Sequence, residues 1–411
     1  MENAVDEIRS EEVLRLASEA GRILLQNGAE ISRVEDTMER IASHYGVQGE
    51  NFFVLSNGIF TTGRSYANAQ FIPIKGASLD KVAAVNQFSR DIQAYDLSLE
   101  EACARLEEIK NLPSKPLWEQ YVAAGIGCAA FCIIFGGGLA DAAASLAAAL
   151  FLNFFVARIG MPYLSKTLAN VAAGFIGTLL CILFYSLGFG SNLGNMVVGT
   201  MILLTPGVAF TNGLRDIANE DYLAGMTRLT DALMMFIAIA VGVCSGFVAH
   251  SWFHGSVIHL SGTTTDAYTS MIPIQMLAAF LGTASFSVLF GLPRKHYLPA
   301  GLIGMAGWMA YLLLNRYTAS GPFASTLLAS GIVALLSRFG AVCLKCPGTL
   351  FLIPGEFPLI PGGGVFWTSY YIASEQFPLA VNAGLTAIKV TLAIVLGIII
   401  AANALGRRDL K

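Results

Sequence analysis

Charge is scarce in this chain of 411 residues. Only 13% of its residues are Asp, Glu, Lys or Arg, about half of the ~25% usual in soluble domains. Histidine is rarer still, with 5 copies. The 7 cysteines offer one close spacing, Cys343-xx-Cys346 with Pro347 behind it. A metal tetrad needs a second such pair, so no metal site is expected. Cys128, Cys132, Cys181 and Cys244 fall in apolar helices, where cysteine acts as a small hydrophobe. GxSxG, HExxH and a phosphate-cradling glycine loop are all missing, which removes the commonest hydrolase, metalloprotease and nucleotide-driven readings. No cofactor is expected. The opening MENAVDEIRSEE lacks the apolar core of a secretory leader, so the first domain is expected to stay in the cytoplasm.

What the chain has is apolar length. Hydrophobic residues make up 55% of it, and the mean hydropathy is +0.62. The charges are also unevenly placed. Residues 1–116 hold 12 of the 25 Lys+Arg and 18 of the 28 Asp+Glu; the remainder of the chain holds 13 and 10. An acidic, water-soluble domain therefore precedes a long membrane domain. That acidity argues against nucleic acid as a partner.

The soluble part reads as a small α/β unit. Val13, Leu16, Ala17, Ala20, Ile23 and Leu24 recur at helical spacing, and Asn27-Gly28 stops the helix. Ser32 to Glu35 has the form of a capping box that restarts it. Strands are expected at 52–55 and 58–62, split by Asn57-Gly58, and at 70–74. Helices at about 79–95 and 98–110 follow, the second opened by a capping box from Ser98 to Glu101.

Ten spans of about 20 apolar residues follow, near 119–136, 140–157, 168–188, 194–211, 230–250, 272–291, 297–314, 322–337, 341–372 (interrupted) and 379–404. With the N-terminus inside, the inner loops receive Lys110, Lys115, Arg158, Lys166, Arg215, Arg228, Arg294, Lys295, Arg338, Lys345, Arg407, Arg408 and Lys411. The outer loops receive only Arg316, as the positive-inside rule requires. The domains are then residues 1–116, a first five-helix membrane unit at 117–257, an outer linker at 258–271 and a second unit at 272–411.

The two units resemble each other. AAGIGCAAFCIIFGG (123–137) aligns with AAFLGTASFSVLFGL (278–292) at an offset of 155 residues, and the same offset sets Pro206-Gly207 on Pro361-Gly362. An odd number of spans per unit forces the second to enter the membrane upside down. Inverted repeats with interrupted helices are a transporter signature.

ILLTPGVAFTNGLRD (202–216) shows the interruption. Pro206 removes a backbone donor and Gly207 permits unusual dihedrals. The freed backbone groups cannot face lipid, so they face protein or water. The second copy, CPGTLFLIPGEFPLIPGGG (346–364), holds four prolines and Glu356. The expected substrate site is therefore built from Thr205, Pro206, Gly207, Thr211, Asn212, Pro361 and Gly362, with Lys389 reaching in from the last span. Glu356 and Lys389 are the two charges expected inside the membrane, each costing ~2.5–3.5 kcal/mol without a partner or water. A mutual ion pair is one outcome. Glu356 is the expected proton carrier, because desolvation disfavours a carboxylate's charged form. Arg215, Asp216 and Asp231 lie nearer the inner surface as gate or interface charges. His250, His254 and His259 cluster on an outer loop without a carboxylate or thiol at hand, so metal is not expected there.

LLQNGAEISRVEDTMERIA (24–42), LLTPGVAFTNGLRDIANEDYLAGMTRL (203–229) and PLIPGGGVFWTSYYI (358–372) resemble the threonine/serine exporter (ThrE) family over nearly the whole chain. The resemblance implies a cytoplasmic N-terminal domain and ten spans. It also implies proton-driven export of L-threonine, L-serine or similar small molecules across a bacterial inner membrane, with both termini cytoplasmic. Homo-oligomers are left open. Two-subunit relatives divide the halves between chains and are linked to dicarboxylate efflux; here the halves are fused. A zwitterion suits the site, its carboxylate held at a broken-helix N-terminus or by Lys389 and its ammonium by Glu356 or freed carbonyls. The alternatives are an exporter of dicarboxylates such as succinate, which would need two cations (Lys389 and Arg215), a membrane-anchored hydrolase or sensor, and a passive channel.

Overall fold

The computed structural model describes residues 2–47, 50–63, 66–73, 76–255, 258, 260 and 265–404, with side chains from residue 9 onward except that of Met161. His259, Arg407, Arg408 and Lys411 lie outside the described residues. The N-terminal domain contains α1 (Glu2–Gln26), α2 (Ile31–His44), β1 (Asn51–Leu55), β2 (Gly58–Thr62), β3 (Ala67–Phe71), α3 (Leu79–Tyr95) and α4 (Leu99–Lys110). The strands form an antiparallel meander in the order β1-β2-β3. The first hairpin turns at Ser56-Asn57, one residue before the Asn57-Gly58 dipeptide expected, with Leu55 paired to Gly58. Ala17, Ala20 and Leu24 of α1 pack in one buried cluster with Val34, Met38 and Ile41 of α2. The third strand lies three residues earlier than the 70–74 expected. The Ser98–Glu101 capping box forms in both directions. The Ser32–Glu35 box does not: α2 starts at Ile31 with Glu30 as N-cap, and the Glu35 carboxylate instead accepts the Val54 amide at 3.2 Å.

The rest is helical: α5 (Leu117–Ile134), α6 (Leu139–Phe155) running through a π turn into α7 (Met161–Tyr163), α8 (Lys166–Ser186), α9 (Leu193–Met201), α10 (Gly207–Ala218), α11 (Tyr222–His254), α12 (Ile272–Leu289), α13 (Tyr297–Tyr317), α14 (Gly321–Leu344), α15 (Thr349–Glu356), α16 (Gly362–Ala373) and α17 (Phe377–Ala404). Nine segments among the described residues are long and apolar enough to cross a membrane, and the bent pair α9–α10 makes a tenth if it counts as one span. The bend is 67°.

Element boundaries recur 155 residues apart. Helix α5 begins at 117 and ends at 134, and α12 at 272 and 289. Helices α10 and α16 begin at 207 and 362, and α11 and α17 at 222 and 377. Contacts recur too. A Cβ placed on Gly127 would stand 2.9 Å from the Phe286 ring, and one on Gly282 would stand 3.1 Å from the Phe131 ring. Each small residue receives the other helix's aromatic, and this lets α5 and α12 pack closely.

Candidate functional site

The two breaks share one local construction. A 3₁₀ turn (Ile202–Leu204, then Phe357–Leu359) precedes each proline. Pro206 and Pro361 both have φ −76°, with ψ 55° and 47°. The amides of Gly207 and Gly362 fold back onto the carbonyls of Thr205 and Ile360, at 2.8 and 2.7 Å. Proline supplies no amide and these glycine amides are spent on the turn, so it is the later first-turn N–H groups of each helix that lack an intrahelical carbonyl.

The breaks meet. A Cβ on Gly362 would lie 3.2 Å from Ile202 and 3.8 Å from the Thr205 hydroxyl, and one on Gly207 would collide with the Phe357 ring. Between them lies a cavity of about 10 Å³, room for about one water molecule. Thr205, Ile202 and Val198 line it from the first break, Gly362 and Phe366 from the second, and Ile239 from α11. Its wall is apolar apart from Thr205 and Ser369. It is far smaller than any amino acid, so this arrangement is closed. Of the residues expected at the substrate site, Thr205 and Gly362 line this cavity; Pro206, Gly207 and Pro361 shape the breaks without lining it, and Gly207 faces the Phe357 ring instead. Val198, Phe236 and Phe366 were invisible in the sequence, being apolar residues in apolar helices.

Glu356 lies on the segment leading into the second break. It is fully buried. Its Oε1 accepts the Ser330 hydroxyl of α14 at 2.8 Å, and its Oε2 has no hydrogen-bond partner. It does not line the cavity. Lys389 is exposed on α17, so the two intramembrane charges form no pair. That corrects the expected position of Lys389 at the substrate site: the first half of α17 (377–392) is exposed or half-buried on every face apart from Ala380, and full burial resumes only at Ala393 and Ile394, one turn beyond Lys389.

The remaining polar residues of α10 are turned toward the N-terminal domain. Asn212 donates to the Gly28 carbonyl at 2.7 Å. Arg215 pairs with the buried Glu30. Asp216, wholly buried, accepts the Ile31 amide at 3.2 Å and pairs with Arg228 at 2.7 Å. Arg228 in turn donates to the Ala29 carbonyl at 2.9 Å. Asp216 therefore sits at the N-terminus of α2, where first-turn amides favour an anion. Arg215 and Asp216 are interface charges in this arrangement, and Asn212 joins them rather than the cavity. Thr211 is buried with its hydroxyl unpartnered. Asp231 pairs with Lys166 at 2.6 Å, both half exposed. His250 and His254 stack at 4.1 Å. Among the described residues no group of three His, Cys, Asp or Glu side chains is placed to hold a metal ion.

Comparison with known proteins agrees with this architecture. The profile described as "Putative threonine/serine exporter" matches residues 15–249, and "Threonine/Serine exporter, ThrE" matches 275–404. A threonine/serine exporter of Corynebacterium glutamicum is 23% identical over 93% of this chain and 79% of its own length. A "Probable threonine/serine exporter" of Mycobacterium tuberculosis is 22% identical over 93% and 73%. The "Probable succinate transporter subunit YjjP" of Escherichia coli is 24% identical over 56% of this chain and 92% of its own. No solved structure matches. The chain is a membrane transporter and not an enzyme, and it belongs to the threonine/serine exporter family.

Proposed function

We propose that this chain exports small neutral amino acids, L-threonine and L-serine foremost, through ten spans arranged as two oppositely oriented five-helix halves. The observation that carries the reading is the meeting of the two Pro-Gly breaks around one cavity. Boundaries that recur 155 residues apart support the repeat, as do the reciprocal Gly127–Phe286 and Gly282–Phe131 contacts. Reciprocity of that kind is what a two-fold relation produces. The charge partition of the loops supports a membrane with both termini on the cytoplasmic side, as in a bacterial inner membrane.

Substrate enters when the halves part and the cavity widens. Its carboxylate meets the first-turn amides of α10 or α16, where the helix dipole favours an anion. Its ammonium meets the Thr205 hydroxyl and the carbonyls freed by the breaks. Glu356, dry and half-satisfied behind the second break, carries the proton. Its charging and neutralisation alter what the break must solvate, and so couple the ion to the opening. Arg215 is bound to Glu30 and Lys389 faces outward, so the two cations a dicarboxylate would want are absent from the cavity.

Counterflow of labelled threonine in proteoliposomes, competed by serine and by succinate under an imposed pH gradient, tests the reading. Saturable uptake competed by serine is expected. Competition by succinate alone would favour the dicarboxylate reading, and flux without saturation would indicate a channel.

A further inference from the structure

The N-terminal domain holds the membrane domain at two separate places. Its α1–α2 turn grips α10, the helix that issues from the first break, through Asn212–Gly28, Arg215–Glu30 and Asp216–Ile31, and the first turns of α11 through Arg228–Ala29. Asn219 adds a bond to Ser32 at 3.2 Å. Its second grip is on the α12–α13 turn: the amides of Leu79 and Asp80 donate to the carbonyls of Phe290 and Gly291 at 3.0 and 2.8 Å. Gly291 has φ +71°, the conformation that turns its carbonyl out of the helix, and a Cβ there would stand 3.2 Å from Ser78. The first grip lies in one five-helix unit and the second in the other. Helices α10 and α12 also flank the break, since Phe290 and Phe357 both lie near Gly207.

We infer that the N-terminal domain is a latch: by tying α10 to the α12–α13 turn it holds the first Pro-Gly break shut, and the break opens on that side only when the Gly28–Ser32 turn lets go of α10. The ion pairs suit such a device. They are buried and paired while docked, with Glu30 2% exposed and Asp216 0%, and once separated each member can be taken up by water. The latch therefore trades protein partners for solvent, and its two positions differ little in energy. The cavity of about 10 Å³ is what a closed latch leaves.

The test uses full-length protein in nanodiscs with Thr205→Cys as reporter, read as the rate of modification by a water-soluble maleimide and resolved by peptide mass spectrometry from the native cysteines. Glu30→Gln combined with Arg215→Gln removes both members of one pair, so no charge is orphaned. It is expected to speed modification about tenfold or more, the scale of ordinary coupling between sites. Equal rates with and without the pair would overturn the latch. If the double variant does not fold, Ser32→Cys with Asn219→Cys decides. Oxidation is expected to slow modification of Thr205→Cys and dithiothreitol to restore it; no difference between the two states would overturn the latch. The inference rests on the transport reading only for its consequence, that oxidation also stops threonine counterflow. With counterflow read in Ser32→Cys with Asn219→Cys that keeps Thr205, reporter rates that respond to oxidation without any threonine counterflow would retain the latch and reject the substrate.

Discussion

Phe131 and Phe286 meet edge to face, ring centroids 5.3 Å apart and planes at 89°. They occupy the same place in α5 and α12, fifteen residues into each. Such a contact between equivalent residues lies close to any axis relating the two halves. It also joins the break, because Phe357 packs on Phe286 at 4.2 Å and on Phe131 at 5.5 Å.

Gly127→Val and Gly282→Val each force a side chain into the opposing ring. Each is expected to cost ~1–3 kcal/mol, read as a lowered thermal midpoint in detergent. Adding Phe286→Ala to Gly127→Val should recover part of that loss, since it empties the space the valine needs. Additive losses in the pair would show that the valine's cost arises elsewhere.

Glu356→Gln keeps the shape and the Ser330 bond but cannot carry a proton. Threonine export driven by a pH gradient is expected to vanish while the thermal midpoint holds or rises, since an unpaired buried carboxyl is replaced by a neutral amide. Full export by this variant would remove Glu356 from the coupling step. Ser330→Ala should weaken coupling without abolishing it.

Much of this was legible in the sequence because it rests on local chemistry. Pro-Gly breaks, capping residues and hydropathy act within a few residues, so both breaks, α3, α4 and the β1–β2 hairpin fell where expected. What escaped depended on tertiary partners. Glu30 reads as an ordinary surface carboxylate until Arg215 is seen against it. Asn212 looks like part of a membrane site because it follows an apolar run, yet it meets the N-terminal domain beside Arg215 and Asp216, which were expected as gate or interface charges. Lys389 shows the same limit: which neighbours cover that stretch of α17 decides whether it is buried, and a uniformly apolar helix does not reveal where its cover begins.

Lys389→Gln tests that last point. The ammonium is exposed on α17 and outside the cavity lining. Its removal is therefore expected to leave threonine counterflow within about twofold, since substitutions away from special features usually stay within ±0.5 kcal/mol. A loss of transport tenfold or greater would return Lys389 to the substrate path.

Asp216→Asn takes from the buried Arg228 its ion-pair partner, at a cost of ~3–5 kcal/mol. The variant should lose thermal stability, and the N-terminal domain should become more sensitive to protease. Asp216→Asn with Arg228→Met removes both charges and is expected to recover most of that stability. If Asp216→Asn alone is harmless, the pair is not what holds the domain in place.

Glu35 gives the N-terminal domain a pH-dependent stability. Burial pushes its carboxyl from an ordinary 4.5 up to about 7, opposed by the Val54 amide and assisted by Asp221, Glu39 and Asp36. The folded state thus holds a proton that the unfolded state has released above about 4.5. Between these values the native state binds more protons, so stability falls as pH rises. The contribution is complete below about pH 4.5 and is lost progressively by about pH 7. The group is partly solvated, so the effect is modest. Thermal midpoints of the full chain should decline from pH 5 to pH 8, and Glu35→Gln should flatten that decline by raising the midpoint at pH 8. Asp221 lies in the turn between α10 and α11, so the same titration bears on how firmly the domain is seated. An unchanged pH profile in Glu35→Gln would place the responsible group elsewhere.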